Sequence, residues 1–176
     1  MNLEKTKVIW VGKERKKKTL DGFFKELGPD KCKGIQAITI DMWDPYIASI
    51  KEYAPQAEII FDKFHVINKY SKVIDRVRNA EYKKALEADK DIIKGTTYLL
   101  LKNTENLKIE EKEKLSRLLE LNENINMTYI LKDDLKRLWD YRDIECAEKF
   151  LNSWIERARE SGIRALKDFT KTLENY

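Results

Sequence analysis

The chain has 176 residues, of which 42% are hydrophobic and 38% are charged, and its formal net charge is +4 at pH 7. This length is enough for one good hydrophobic core or two small ones. The sequence contains no run of about 18 apolar residues, so no transmembrane span is expected, and the mild basic excess indicates nucleic acid only weakly. Cys32 and Cys146 are the only cysteines, which favours reduced thiols in a cytoplasmic protein.

The first predicted elements are a strand and a helix. Residues 8–11 are β-branched or aromatic, which predicts a strand whose tryptophan packs against the helix that follows. Residues 13–18 form a charged run, which is interpreted either as a solvated turn or as a contact to a phosphate backbone. Thr19 is the predicted N-cap of a helix over residues 20–27, and the sequence Gly-Pro from Gly28 ends that helix.

Two apolar runs that stop at aspartate dominate the first third of the chain. Residues 34–41 and 57–65 carry these runs, and an amphipathic segment over residues 43–53 lies between them. This order predicts a βαβ unit with two parallel strands and a right-handed crossover. The lack of alternation in the runs predicts strands that are buried on both faces. Asp41 and Asp62 then fall at the carboxyl ends of the strands, where open α/β sheets bind ligands.

The rest of the sequence predicts helices only. Apolar residues recur at helical spacing over residues 64–87, 98–101, 109–121, 124–141, 144–160 and 163–175. The polar side of the first of these helices carries the basic residues Lys69, Lys72, Arg76, Lys83 and Lys84. These side chains either follow DNA phosphates or form a solvated helix surface. The fold class is therefore an α/β part with about three strands, followed by an all-α part.

The residues at the two strand ends point to metal-dependent chemistry. One aspartate there proves little, and a capping role at the next helix explains Asp41 taken alone. Two aspartates on neighbouring strand ends are more informative, because Mg²⁺ and similar cations prefer carboxylate oxygens held rigidly together. His65 follows Asp62 by three residues and is the only histidine. It is interpreted as a proton carrier, as a group that orients a metal ligand, or as a polar residue at a helix start.

Several segments resemble the DDE transposases of bacterial insertion sequences, specifically the ISL-three family. The closest resemblance lies in residues 41–46, DMWDPY, and residues 55–66, PQAEIIFDKFHV. Residues 8–12, residues 98–103 and the apolar pattern over residues 147–173 match as well. The resemblance covers nearly the whole chain, and the block from residue 41 to residue 66 is its most specific part.

The resemblance implies a ribonuclease-H-like core in which three acids hold two divalent ions, Mg²⁺ or Mn²⁺, that cut and rejoin transposon DNA. Asp41 matches the second catalytic acid, and Asp62 with His65 matches the Asp-x-x-His signature of such enzymes. Residues 1–68 would then be a partial catalytic core. Residues 69–176 would be the helical insertion that separates the second acid from the third and helps to grip DNA ends or other subunits.

The resemblance also implies that two catalytic acids lie outside this sequence. The first aspartate of the family would precede residues 8–11, and the final glutamate would follow residues 169–176. We therefore expect a fragment that cannot cleave DNA alone, and that self-associates because a truncated sheet exposes its edges. Two alternatives stay open: a non-catalytic DNA-binding or oligomerisation remnant of a transposase, and an unrelated metal-dependent phosphotransferase, which needs a full parallel sheet.

Overall fold

The structure is a computed structural model that describes residues 7–175. The chain divides into two compact units, Met1–Val66 and Ile67–Tyr176. Helices make up most of the described residues, and the sheet found there has two strands. The first unit contains α1 (Lys17–Leu27), α2 (Pro29–Lys33), β1 (Ala37–Ile40), α3 (Asp44–Tyr53) and β2 (Glu58–Phe61). Helix α4 (Lys63–Lys84) begins in the first unit and belongs mostly to the second.

The predicted βαβ unit is confirmed. Strands β1 and β2 pair in parallel, with Ala37 opposite Glu58 and Ile40 opposite Phe61, and α3 connects them. One face of the sheet packs on a small core formed by α1, α2 and α3. The buried members of this core are Phe24, Cys32, Ile50 and Ala54, and the sheet contributes Ile38, Ile40 and Ile59.

The expectation that both strand faces are buried is wrong for the described residues. Exposed and half-buried residues alternate along both strands, and Ile60 keeps 46% of its surface exposed. The physical reason is that the helices of this unit pack on the face that carries Ile38 and Ile59. The sheet therefore behaves like a layer covered from one side.

The predicted strand over residues 8–11 is not formed, so two strands replace the expected three in the part of the chain that is described. A strand needs a hydrogen-bonded neighbour, and Val8 and Val11 instead remain 63% and 81% exposed. The prediction that Trp10 packs on the next helix is confirmed. Its ring lies 5.5 Å from that of Phe23, and its Nε1 donates a hydrogen bond to Glu26.

The first helix begins earlier than the sequence pattern predicts. Helix α1 starts at Lys17, and its N-cap Lys16 makes no side-chain capping hydrogen bond, so the assignment of Thr19 as N-cap is wrong. Thr19 lies inside the first turn, where its N–H donates to the carbonyl oxygen of Lys16 at 3.1 Å. The predicted end is confirmed, because Gly28 adopts a φ of 84° that disfavours side chains.

The second unit is helical over its described length, as predicted. After α4 it contains α5 (Glu87–Ile93), α6 (Thr97–Leu101), α7 (Ile109–Leu121), α8 (Glu123–Lys136), α9 (Ile144–Glu160) and α10 (Arg164–Glu174). The predicted helix over residues 124–141 ends as an α-helix at Lys136, and its last turn tightens to the 3₁₀-helix Arg137–Asp140. Within the described helices, none combines the length and the apolar composition needed to cross a membrane.

Three aromatic rings form the centre of the second unit. Tyr70, Trp154 and Phe169 contact one another edge to face, with centroids 5.2 to 6.0 Å apart. Trp154 is fully buried and its Nε1 donates to the carbonyl oxygen of Leu131 at 2.9 Å, so this tryptophan is part of the core. The Tyr70 hydroxyl donates to the carbonyl oxygen of Thr128 at 2.8 Å. Burial raises the pKa of Tyr70 well above its ordinary value.

The two cysteines have opposite environments. Cys32 is buried in the core of the first unit, and its thiol lies 3.5 Å from the carbonyl oxygen of Phe24. Cys146 lies in the first turn of α9, is exposed, and donates its backbone N–H to the Asp143 carboxylate at 2.8 Å. Asp143 is thus the N-cap of α9, and that backbone hydrogen bond lowers its pKa.

Candidate functional site

The two candidate acids lie at the same edge of the sheet, as predicted. Asp41 directly follows β1 and Asp62 directly follows β2, and these strands are parallel and paired in register. The Asp62 backbone N–H donates to the carbonyl oxygen of Ile40 at 3.0 Å, which ties the two strand ends together. The sheet therefore fixes the backbone positions of both acids.

The carboxylate of Asp41 pairs with an arginine and does not cap a helix. Its carboxylate forms an ion pair with Arg15, and its side chain is 18% exposed. The guanidinium of Arg15 also lies over the Trp43 ring, 4.8 Å from the centroid. Helix α3 has Trp43 as its N-cap without a side-chain capping hydrogen bond. The capping interpretation of Asp41 is therefore wrong, because its carboxylate is turned to Arg15.

Asp62 is the residue that caps a helix. Its Oδ1 accepts a hydrogen bond from the N–H of Phe64 at 2.8 Å, and its carbonyl oxygen accepts the N–H groups of His65 and Val66. These contacts begin α4, whose first residue is Lys63. The His65 ring is half-buried and meets the exposed Phe64 ring edge-on at 5.6 Å. The structure thus gives Asp62 a structural task and leaves the role of His65 as a prediction.

The two aspartates and His65 do not form a metal-binding cluster among the described residues. Across residues 7–175, no group of three or more His, Cys, Asp and Glu side chains is placed to hold a metal ion. The chemistry of Asp41 suits one ligand position, because it is a carboxylate on a strand end. A complete site for Mg²⁺ or Mn²⁺ needs further oxygen ligands.

The basic run over residues 13–18 is largely neutralised within the first unit. Arg15 pairs with Asp41, Lys16 with Glu14, and Lys17 with both Asp21 and Glu52. Hydrogen bonds from Lys17 to Glu52 and Asp21 raise the pKa of its ammonium group. Three of the five cations in this run contact carboxylates, which disfavours a phosphate contact. The predicted turn is limited to residues 13–16, because residues 17 and 18 already belong to α1.

A groove between α4 and α10 collects part of the predicted basic surface. One cavity of about 190 Å³ is lined by Lys69, Lys72 and Arg76 of α4 and by Asp168 of α10. A larger cavity of about 630 Å³ adjoins it, because both are lined by Arg76, Ala165 and Asp168. We call the two adjoining cavities together the α4–α10 groove.

The groove includes four of the five basic residues that the sequence singled out. Lys84 and Arg164 line the larger cavity, whereas Lys83 lines neither cavity. Arg164 is the first residue of α10, and Gly162 before it adopts a φ of 74°. The position of Arg164 in this cavity follows the turn at Gly162, and the Ser-Gly break that precedes it is the local sequence signal for that turn.

Two acids, Glu81 and Asp168, line this groove, and the charge of Glu81 is compensated by its neighbours. Glu81 is 9% exposed and accepts hydrogen bonds from Asn122, Asn124 and Lys84 at 3.0, 3.1 and 2.9 Å. Burial acts to raise the pKa of Glu81, but these hydrogen bonds outweigh it and hold the pKa below the ordinary value. Glu81 is therefore ionised at neutral pH, and its charge is largely satisfied by its neighbours.

Comparison with known proteins identifies the family. The model of the family DDE_Tnp_ISL3, described as transposase, matches residues 1–176. The transposase for insertion sequence element IS1001 of Bordetella parapertussis is 40% identical over 173 residues, which cover 96% of this chain and 42% of that protein. The transposase for insertion sequence element IS1557 of Mycobacterium tuberculosis is 21% identical over 193 residues, covering 97% of the chain and 43% of that protein.

The chain thus spans less than half the length of these curated relatives. No solved structure matches it. The match of the family model over the whole chain and the 40% identity to a curated transposase agree with each other. The chain therefore belongs to the DDE transposase family of the ISL-three insertion sequences.

Proposed function

We propose that this chain supplies one catalytic acid and a helical DNA-binding region to a transposase that cuts and rejoins DNA at insertion-sequence ends. The observation that carries the proposal is the position of Asp41 at the end of β1, beside the end of the parallel strand β2, in a chain that matches a transposase family throughout. Residues 1–68 would be part of a ribonuclease-H-like core in the cytoplasm, and residues 69–176 the helical insertion.

Within this proposal Asp41 is a ligand of a divalent cation, Mg²⁺ or Mn²⁺. A bound divalent cation supplies charge stabilisation during phosphoryl transfer. Asp62 and His65 lie at the same strand end as part of the proposed site, and Asp62 positions this edge by capping α4. The remaining acids of the site would come from other parts of the complete enzyme, so residues 7–175 alone would not cleave DNA.

The proposed DNA contact is the α4–α10 groove. Lys69, Lys72 and Arg76 are spaced three and four residues apart on α4 and line one cavity together, so they span about 10 Å along one helix face. Arg164 adds a cation from the opposite wall. Several basic side chains along one groove can neutralise successive phosphates, which gives affinity without reading the base sequence.

Cleavage by a full-length transposase that contains this chain tests the catalytic part. With Mg²⁺ or Mn²⁺ and DNA carrying the insertion-sequence end, Asp41→Asn should abolish nicking and strand transfer while DNA binding persists. Full cleavage by the Asp41→Asn protein would overturn the catalytic assignment. The chain of 176 residues should show no nicking under the same conditions.

The groove is tested separately by DNA binding to the chain itself. Fluorescence anisotropy with a labelled duplex at several salt concentrations should show weaker binding for Arg76→Glu and Arg164→Glu, with a salt slope lower by about 1 for each lost phosphate contact. Lys83→Glu is the matched control, because it makes the same charge change on α4 but lies outside both cavities. Equal losses of DNA affinity in all three variants would show that binding depends on overall charge and not on the groove.

A second candidate function is a non-catalytic DNA-binding or oligomerisation remnant. The pairing of Asp41 with Arg15 favours it, because this carboxylate already has a counter-ion within the chain. The cleavage assay separates the two candidates. Both candidate functions include self-association through the exposed edges of the sheet. Light scattering at high protein concentration should detect the resulting dimers.

A further inference from the structure

The ion pair at Asp41 places a permanent positive charge on the carboxylate that the proposed function assigns to a divalent cation. Arginine stays protonated throughout the physiological pH range. Its guanidinium here contacts the Asp41 carboxylate and lies 4.8 Å from the centroid of the Trp43 ring. Asp41 therefore has a counter-ion from within the chain.

We propose that Arg15 is a positioning residue that competes with divalent cations for Asp41 and thereby sets the affinity of this position for metal. The inference rests on the proposed role of Asp41 as a metal ligand. The carboxylate oxygen Oδ2 that faces Arg15 cannot also contact a divalent cation from the same direction. A guanidinium and a divalent cation side by side also repel each other, which weakens metal binding while Arg15 stays paired.

The surroundings of Arg15 allow it to leave. The Arg15 side chain is 57% exposed and comes from residues 13–16, which precede α1 and form neither helix nor strand. It can therefore turn toward solvent without opening the core around Phe24 and Ile50. Contact with the Trp43 ring adds a cation–π attraction that favours the paired state. Arg15 thus keeps Asp41 oriented before metal binds, and is released when metal arrives.

Manganese binding to the chain tests this competition without any DNA or cleavage. Paramagnetic Mn²⁺ broadens NMR signals near its binding position, so the MnCl₂ concentration that half-broadens the amide signals of residues 41–43 measures affinity there. Arg15→Gln should lower this concentration about fivefold, the size expected for losing a partly exposed ion pair. Arg15→Lys keeps the charge and should stay close to the unmodified chain.

Lys13→Gln is the matched control, because it removes the same charge from the same run. It should change the half-broadening concentration by less than about twofold, since a charge without a direct contact is screened. Asp41→Asn should remove the local broadening. Equal effects of Arg15→Gln and Lys13→Gln would overturn the inference, as would an absence of broadening at residues 41–43 in both the unmodified chain and Arg15→Gln. Neither result touches the cleavage assay on the full-length enzyme, which tests the proposed function itself.

Discussion

The ammonium group of Lys132 donates a hydrogen bond to the carbonyl oxygen of Leu100 at 2.8 Å, inside the second unit. Lys132 is 3% exposed, lies 3.9 Å from the centroid of the Tyr129 ring and also contacts the carbonyl oxygen of Lys102 at 3.3 Å. The carbonyl groups at the end of α6 lack partners within their own helix. Lys132 lies in the middle of α8 and thus caps the C-terminal end of α6.

This buried lysine predicts an unusual dependence of stability on pH. Burial lowers the pKa of Lys132 from 10.5 to about 8. The unfolded chain then binds more protons than the folded chain between about pH 8 and 10.5, so this group makes the free energy of unfolding rise with pH in that window. In urea titrations between pH 7.5 and 9.5, the free energy of unfolding of the unmodified chain should rise by about 2 kcal/mol relative to that of Lys132→Met. Parallel pH profiles for the two proteins would contradict the prediction.

Glu81 predicts a pH dependence of the same sign, but in the acid range. Its pKa lies below the ordinary 4.5, since hydrogen bonds outweigh burial, so its contribution is present above pH 4.5 and is lost as pH falls through the folded-state pKa. Glu81→Gln should cost about 1–3 kcal/mol at pH 7, and this difference should shrink toward pH 3. Glu148→Gln on the exposed surface of α9 is the control and should remain within about 0.5 kcal/mol.

Substitutions at Asp62 can separate its helix-capping role from a role in DNA cleavage. Asp62→Ala removes the hydrogen bond to the Phe64 N–H and should destabilise the chain by about 1 kcal/mol. Asp62→Asn keeps an oxygen acceptor and should restore most of this loss, because asparagine is an equally good N-cap. Thermal melts measure both variants. If Asp62→Asn is stable but fails in the full-length cleavage assay, the carboxylate charge itself is needed.

Trp154 tests the centre of the second unit. Trp154→Phe keeps an aromatic ring but leaves the Leu131 carbonyl oxygen without its indole donor, and should cost about 1–3 kcal/mol. Trp154→Ala should cost about 3–5 kcal/mol, because it also creates a cavity. Tyr98→Phe, at a position that is 80% exposed, is the control and should change the unfolding free energy by less than about 0.5 kcal/mol. An unchanged free energy of unfolding in Trp154→Ala would contradict the described core.

Local patterns predicted the elements whose signals lie within a few neighbouring residues. The βαβ unit follows from two apolar runs around an amphipathic segment, and the helices of the second unit follow from spacing. The same logic failed for residues 8–11, because β-propensity describes a side chain that fits a sheet and says nothing of a partner strand. It also failed for the strand faces, since burial depends on which layers cover the sheet.

The contacts that define the candidate site could not be predicted in this way. Arg15 reaches Asp41 from a run that looks like a solvated turn, and Arg164, after the turn at Gly162, lines a cavity together with residues of α4. Both arrangements join residues that are distant in the sequence, and they depend on packing rather than on periodicity. Asp62, in contrast, carried a local capping signal, but both aspartates end apolar runs and the sequence alone favoured the wrong one as the cap.

The contrast between Cys32 and Cys146 makes the native chain selective toward thiol reagents. One sulfur is enclosed by aromatic and aliphatic side chains, while the other is open to water at the start of α9. A maleimide dye or nitroxide should therefore attach at a single known position without any engineered cysteine. That position offers a spectroscopic reporter for DNA titrations in which every charged residue keeps its natural identity.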